Sequence, residues 1–217
     1  VVGMRLGGGD FALDTDGDLS NDMTMRSAYV ILDITDPEQP PELIAEITDP
    51  GLGLTLSRPA LVKRRQATAS SFRSTASNEW LLVFGSGPDT LSSATSNQTS
   101  SWYAFDLVAR DWVSVNSALQ SAMSDTDRFF GDPAVIDWDN DFIDDMVYVG
   151  ANGGTVEAPI GEVKRVVLSN SSNLGFATTA TAATLVDVEK PVLSAPKLLI
   201  DQASGGRWAL FGSGRYL

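Results

Sequence analysis

The chain has 217 residues and a formal net charge of −13, which argues against a nucleic-acid partner because phosphate binding needs a basic surface. It contains no cysteine and no histidine, which excludes thiol or imidazole zinc sites, cysteine nucleophiles and histidine-dependent triads. Hydrophobic residues make up 43 %, enough for one folded domain with a core, and no apolar run of about 18 residues predicts a membrane span.

The N-terminal part of the sequence predicts short strands separated by turns. Val1–Leu6 is compatible with a strand, and the glycines at 7–9 indicate a turn. Ala28–Ile34 predicts a strand that Leu43–Ile47 pairs with after a proline-rich turn.

The segment between the glycines and Ala28 contains an acidic pattern, DTDGDLSND. Asp14, Asp16, Asp18 and Asp22 occupy positions one, three, five and nine of a loop, and the carbonyl of Ser20 lies at position seven. This is the spacing of an oxygen-ligand calcium loop, so these five residues form a possible calcium site. The alternative is an exposed acidic insertion without metal.

The middle of the chain predicts further strands, at Ala60–Lys63, Trp80–Phe84 and Trp102–Leu107, the last paired with Asp111–Val115. The basic run Lys63-Arg64-Arg65 is interpreted as a solvated turn. The segment Ser117–Arg128 predicts a short helix or an irregular connection. Polar loops rich in small residues are expected at 64–78 and 88–101.

A second acidic pattern, between Ile136 and Met146, is the main candidate site. Asp137, Asp139, Asp141 and Asp145 repeat the spacing, and Ile143 offers its backbone carbonyl at position seven. Flanking residues rich in β-branched and aromatic side chains predict a β-hairpin with the loop at its tip. A hard dication such as calcium takes about six to eight oxygen ligands, and this loop could supply most of them.

The helical calcium hand fits this loop poorly, because Phe142 stands in place of its glycine and Tyr148 in place of its bidentate glutamate. A solvated acidic turn without metal is the alternative. Trp138, inside the loop, is expected to be more exposed than the other tryptophans and available to a partner. Those others are expected to pack between sheets.

The C-terminal part predicts a turn at Ala151–Thr155 and then strands at Gly161–Leu168, Leu185–Val188, Lys197–Ile200 and Trp208–Gly214, with a loop of small residues at 169–183. The chain ends on FGSGRYL directly after a strand. We expect the sequence to be part of a larger protein whose targeting signal lies elsewhere.

Three segments of the chain resemble one another. In each, a proline precedes a short apolar strand, and a second strand ends in a glycine-rich turn. Pro59, Pro133 and Pro196 lie 74 and 63 residues apart. Such periods predict an all-β fold, a modified β-propeller of four-stranded blades, with residues 1–217 forming a partial ring of about three to four blades. A β-sandwich is the structural alternative.

These segments together resemble one known family. AYVILDITDP, RPALV with WLLVFGSG, WYAFDL, GDPAVIDWDNDFIDDMVYVGANGG and WALFGSGRYL occur in the order found in the C-terminal propeller of PilY/PilC-type type IV pilus biogenesis and tip-adhesin proteins. The resemblance covers nearly the whole chain. It implies calcium ligation by Asp137, Asp139, Asp141, Ile143 and Asp145, and it gives no support to the loop at Asp14–Asp22.

The resemblance also implies a function. It implies a non-enzymatic, extracellular module on the cell surface or pilus tip of a Gram-negative bacterium, whose calcium loop controls pilus extension against retraction. Its partners would be pilus subunits or minor pilins. A host or surface receptor would bind the family's N-terminal region, which this chain lacks. Calcium could be structural or act as a switch.

Two other functions stay open. An integrin-like calcium-binding propeller repeat for extracellular adhesion shares the loop spacing, although such repeats usually carry glycine at position six. A quinoprotein or glycosidase-type propeller enzyme would use carboxylates such as Asp106, Asp111, Asp132 or Asp201. These four form no convincing catalytic pair in the sequence, so we predict that the chain is not an enzyme.

Overall fold

The computed structural model describes residues 1–4, 11–65, 78–89, 98–115, 117–155, 157–168, 181–201 and 203–214. The predicted glycine turn at 7–9, most of the three predicted polar loops and the last three residues lie outside these ranges. The described residues form antiparallel strands and one short helix, which confirms the all-β class. No helix within them has the length and apolar character needed to cross a bilayer.

In chain order the elements are β1 (Val2–Gly3), β2 (Phe11–Leu13), β3 (Met23–Met25), β4 (Ala28–Asp33), β5 (Glu42–Thr48), β6 (Ala60–Arg65), β7 (Asn78–Gly85), β8 (Trp102–Asp106), β9 (Asp111–Trp112), α1 (Ser117–Met123), β10 (Arg128–Phe130), β11 (Ala134–Ile136), β12 (Met146–Gly154), β13 (Pro159–Val167), β14 (Thr181–Asp187), β15 (Lys197–Asp201) and β16 (Gly206–Leu210).

The strands form successive sheets along the chain. The first sheet has the order β1-β4-β5, and the hairpin β2-β3 forms a separate two-stranded ribbon. The second has the order β6-β7-β8-β9, and the third β10-β12-β13-β14, with β11 also paired to β12. The last described sheet is the ribbon β15-β16. Most strands pair with the next strand in the chain, and the exceptions are the pairs β1-β4 and β10-β12.

The three similar sequence segments adopt the same local structure. Pro59, Pro133 and Pro196 each stand directly before a strand, which is β6, β11 or β15, and that strand pairs with the next one in the chain. A proline at this point interrupts no ladder hydrogen bond, since the strand begins after it. The predicted repeat of proline, strand, loop and second strand is therefore confirmed.

Equivalent residues of these segments also contact each other. Ser57 Oγ donates a hydrogen bond to the Gly131 carbonyl at 2.9 Å, and Arg58 N donates to Asp132 Oδ1 at 2.8 Å. Both partners are 74 residues apart, the distance between the first two prolines. Asp132 N donates to the Leu193 carbonyl at 2.8 Å, next to the third segment. The entries of three successive sheets thus lie side by side.

The second sheet is buried on both faces, which explains the continuous apolar run in β7. Leu81 and Val83 pack into a cluster shared with α1 and the third sheet. Leu82 and Phe84 point the other way, into a cluster shared with the first sheet. Side chains alternate along a strand, so only an apolar residue at every position can bury both faces.

Two predicted turns are wrong. Ala151–Thr155 is not a turn at its start, because β12 continues to Gly154 and Asn152 is buried there, with Nδ2 donating to the Val192 carbonyl at 3.1 Å. The basic run at 63–65 is not a solvated turn, because it forms the end of β6 and the Arg64 side chain is buried. In both cases a contact with a distant segment outweighs the local preference of the residues.

Candidate metal centre

The loop at residues 137–145 connects β11 and β12 at the tip of a hairpin, as predicted. Ile136 pairs with Met146 across the hairpin, and Asp145 N donates to the Ile136 carbonyl at 2.9 Å. This bond closes the loop at its base. The strands therefore hold positions one and nine of the loop next to each other, as a shared cation would require.

Backbone N–H groups orient the carboxylates of this loop. Asp137 accepts hydrogen bonds from Asn140 N at 2.7 Å and from Phe142 N at 2.8 Å. Asp139 accepts from Asp141 N at 3.1 Å, Asp141 accepts from Ile143 N at 2.8 Å, and Asp145 accepts from Trp138 N at 2.6 Å. Because the N–H groups of one short loop face inward, the carboxylates that they bind are turned inward too.

The inward orientation brings three of the four predicted carboxylates together. Asp137, Asp139 and Asp145 each have an oxygen atom within 4.8 Å of the others, and Asp141 lies outside that group. The turn needs left-handed backbone at positions four and six, where Asn140 has φ 61° and Phe142 has φ 68°. Phe142 is bulky and exposed, so it occupies that conformation without compensating burial.

The loop at residues 14–22 has the same conformation. Asp14 accepts from Gly17 N at 2.6 Å and from Leu19 N at 2.8 Å, the N–H groups of positions four and six. Asp18 N donates to Asp16 at 3.1 Å, Ser20 N to Asp18 at 2.7 Å and Thr15 N to Asp22 at 3.0 Å. Gly17 and Leu19 have φ 84° and 71°. Each backbone bond described for the loop at 137–145 has an equivalent here.

This equivalence extends to the hairpin, whereas the carboxylates that converge differ between the two loops. Leu13 pairs with Met23, and Asp22 N donates to the Leu13 carbonyl at 2.9 Å. The oxygens within 4.8 Å of one another belong here to Asp14, Asp16 and Asp18, and Asp22 lies outside the group. The strands β2 and β3 form a regular antiparallel hairpin around this loop. That the backbone carbonyls of Ile143 and Ser20 bind the cation stays a prediction.

The two loops differ in their surroundings. The loop at 14–22 is exposed, and hydrogen bonds from Gly17 N, Ser20 and Thr15 lower the pKa values of Asp14, Asp18 and Asp22 respectively. In the loop at 137–145, burial raises the pKa of Asp145, against the effect of the bond from Trp138 N. Charged carboxylates are thus favoured in the first loop and cost more free energy in the second.

A neighbouring strand contacts the second loop from behind. Lys63 N donates to Asp144 Oδ2 at 2.6 Å, and Asp144 N donates to the Lys63 carbonyl at 3.0 Å. Arg64 Nη1 donates to the Asp144 carbonyl at 3.2 Å. The bond from Lys63 N turns this carboxylate toward β6, outside the group of converging oxygens, and burial there raises its pKa. The sequence contained no signal for this contact, which joins residues about 80 positions apart.

Trp138 is not the exposed contact residue predicted from its position. Its side chain is 6 % exposed, and its ring lies edge-on to Tyr148 and beneath the Arg207 guanidinium, 5.2 Å from the ring centre. Its Nε1 donates to Met146 Sδ at 3.1 Å. Among the tryptophans in strands, Trp102 is buried as expected, while Trp208 is 59 % exposed.

The donor set fits calcium. The side chains that converge in each loop are carboxylates, and oxygen ligands without nitrogen or sulfur suit a hard dication. The spacing puts them on a single short turn, as in known oxygen-ligand calcium loops. A dication would also relieve the repulsion among the five acidic residues within 137–145.

The carboxylates considered for an enzyme have structural contacts. Asp106 accepts from Val108 N and Ala109 N in a turn, and Asp201 accepts from Ala203 N and Ser204 Oγ in another. Asp132 binds the Arg58 guanidinium at 2.9 Å beside a cavity of about 310 Å³ at the converging strand entries. That the chain is not an enzyme stays a prediction.

Comparison with known proteins relates the chain to one solved fold. No protein-family model and no curated protein matches the sequence. The crystal structure of the Pseudomonas aeruginosa PilY1 C-terminal domain is similar, with a TM-score of 0.54 and 16 % identity. The similarity covers 99 % of this chain and 52 % of that one, so the chain spans about half the length of the PilY1 domain. At this identity, the chain is related to the PilY1 C-terminal domain by its fold.

Proposed function

We propose that this chain is a calcium-binding β-propeller module of a type IV pilus-associated protein, acting in pilus extension and retraction and in surface attachment. The observation that carries the calcium part is the pair of hairpin loops, in which the same spacing of aspartates coincides with the same backbone hydrogen bonds. Fold similarity to the PilY1 C-terminal domain supports the pilus part.

The propeller arrangement is supported by the contacts between equivalent residues of successive sheets. Rotation about an axis brings equivalent residues close only near that axis, as at the bonds from Ser57 to Gly131 and from Arg58 to Asp132. The ribbon β15-β16 also exposes Leu199, Trp208 and Leu210, an apolar surface of the kind that a neighbouring blade covers. On this proposal the described sheets are consecutive blades of a propeller.

Calcium titration of single variants tests the metal sites. We expect two calcium ions per chain by calorimetry, one in Asp145→Asn, one in Asp16→Asn and none in the double variant. Asparagine keeps an acceptor for the loop N–H but removes the charge that calcium needs. The control is Asp187→Asn, which alters a carboxylate that accepts the Glu189 N–H in another turn. This variant should still bind two calcium ions.

The same titration predicts a stability effect. Calcium that binds only the folded loops stabilises the chain, by about 2.7 kcal/mol per site at a free concentration 100-fold above the dissociation constant. Melting curves in calcium and in chelator should differ accordingly. A wild-type chain with no calcium uptake and no shift in melting temperature would remove the calcium part of the proposal.

The pilus part needs an experiment in the organism that makes the protein. We expect Asp145→Asn in the full-length protein to change the number of surface pili or twitching motility, while Asp187→Asn does not. Normal piliation and motility, in a variant shown to lack calcium at this loop, would contradict a role in extension and retraction.

An adhesion module with repeated calcium loops is the second candidate. It is favoured by the occurrence of two loops with one conformation in a single chain. In that case loss of calcium would weaken attachment of cells to a surface and leave pilus extension and retraction unchanged. The motility assay therefore distinguishes the two functions.

A further inference from the structure

A buried arginine lies behind the loop at 137–145. Arg64 is on β6, its side chain is 1 % exposed, and it stands directly opposite Glu79 of β7 in the sheet register. Its Nη1 donates to the Asp144 carbonyl. The neighbouring Lys63 donates its N–H to the Asp144 carboxylate and accepts the Asp144 N–H at its carbonyl. The guanidinium is thereby fixed against the inner side of the acidic loop.

The charge of Arg64 acts on the carboxylates of that loop. Burial lowers the pKa of Arg64, and the negative charges of Glu79, Asp145, Asp144 and Asp141 oppose this effect, in that order. A guanidinium remains charged under these conditions, so the interior holds a permanent cation. Arg64 belongs to β6, which is paired with β7, so its backbone position is set by the sheet and not by the loop. The field of Arg64 is therefore present with and without calcium.

We propose that Arg64 is an internal counter-cation of the loop at 137–145, which keeps the metal-free loop folded and lowers its affinity for calcium. The inference rests on the proposed calcium site and adds the residue that sets its affinity. Without metal, the guanidinium offsets repulsion among the crowded carboxylates. With metal, the same charge repels the dication, since like charges within a poorly solvated region interact strongly.

Glu79 completes this arrangement with the opposite effect. It is partly buried beside Arg64, burial raises its pKa, and the charge of Arg64 lowers it. When charged, Glu79 cancels part of the Arg64 field at the loop. The proposal therefore assigns opposite signs to two substitutions, which ordinary loss of packing would not produce.

Calcium calorimetry on Arg64→Met and Glu79→Gln tests the proposal. We expect Arg64→Met to bind calcium at this loop roughly three- to tenfold more tightly, and Glu79→Gln to bind it more weakly by a similar factor. Arg64→Met should also melt at a lower temperature in chelator and show a larger rise on addition of calcium. Arg64→Lys, which keeps the charge, should stay close to the wild type.

The loop at 14–22 supplies an internal control. Calcium binding at the loop 137–145 is measured in an Asp16→Asn background, and binding at the loop 14–22 in an Asp145→Asn background. The loop at 14–22 lies on a separate hairpin, so its affinity should be the same in all Arg64 and Glu79 variants. A change of equal size at both loops would overturn the proposal, because it would indicate a general effect of net charge.

The outcomes separate this inference from the proposed function. No calcium at the loop in the wild type contradicts the function itself. Calcium binding in the wild type, with unchanged or weaker binding in Arg64→Met, overturns the role of Arg64 alone. If Arg64→Met does not fold even with calcium, Glu79→Gln decides, and unchanged or tighter binding in that variant overturns the proposal.

Discussion

Asp144 and Asp145 are adjacent in the sequence and have different roles in the structure. Asp145 turns into the loop and accepts the Trp138 N–H. Asp144 turns away from the loop toward β6 and accepts the Lys63 N–H. The DD pair thus serves both the candidate metal centre and the contact between the second and third sheets. Adjacent residues at a strand entry point in opposite directions, so one strand can supply both.

The pKa of Asp144 predicts a dependence of stability on pH in metal-free solution. Burial raises this pKa above its ordinary value of 3.8, with smaller contributions from the charges of Asp137 and Asp145, while Lys63 N and Arg64 oppose the shift. A raised carboxyl pKa stabilises the fold below the unfolded value, and that stabilisation is lost as pH rises through the folded value.

Asp144→Asn cannot ionise and so avoids this loss. In chelator, we expect its melting temperature relative to the wild type to rise between about pH 4 and about pH 7, by roughly 2–4 °C. The control for a general charge effect is Asp36→Asn, which changes an exposed carboxylate that accepts the Glu38 N–H. A difference that is constant or falls with pH would contradict the assigned shift.

At the scale of elements, α1 depends on a contact outside itself. A helix of seven residues is too short to be stable alone. Leu119 and Met123 pack into the core, and Lys164 of β13 binds the chain around the helix end. Its Nζ donates to the Ala122 carbonyl at 2.8 Å and pairs with Asp125 at 2.5 Å and Glu162 at 3.4 Å.

Lys164→Met should therefore loosen α1. The substitution leaves two carboxylates and a carbonyl without their cation, and we expect a loss of about 1–3 kcal/mol in the free energy of unfolding. Urea denaturation measures the loss, and amide exchange should show the largest effect in α1. Lys190→Met, at an exposed position, is the control. Unchanged protection of α1 would show that its apolar contacts suffice.

At the scale of the whole molecule, the segment at residues 190–193 carries the chain from the third sheet to β15 and lies directly over β12. The Asn152 side chain makes two hydrogen bonds with the main chain of Val192. Val192 N donates to Asn152 Oδ1 at 2.5 Å, and Asn152 Nδ2 donates to the Val192 carbonyl. The Gly150 Cα faces the same carbonyl, and an added Cβ would overlap that oxygen. The close approach requires glycine at this position.

Gly150→Ala should disturb the connection between the two sheets. We expect a loss of about 1–3 kcal/mol, because the backbone of the crossing segment must move to admit the methyl group. Gly212→Ala is the matched control, since an added Cβ there meets nothing within 4 Å. Equal melting temperatures for the two variants would contradict the close packing described for Val192.

The strands and the candidate loops could be predicted because their signals are local. The run at Trp80–Phe84, the hairpin around Asp137–Asp145 and the repeated proline before a strand all depend on neighbouring residues. The spacing of aspartates likewise needs only one turn of chain, and both loops form it. Side-chain period and turn chemistry act over a few residues, so the sequence contains them directly.

The environment of the loops was decided by tertiary structure. Nothing in the local sequence distinguishes Arg64 from its basic neighbours. It is a buried cation beside the candidate site only because Asp144, 80 positions away, approaches it. Trp138 is covered because Arg207 comes from another sheet. Gly153 and Gly154 remain in a strand because β12 is paired with β13 along its whole length. Local sequence determined which residues can bind a cation. Distant contacts decided how deeply the loops are buried and which charges surround them, because both depend on the positions of many residues.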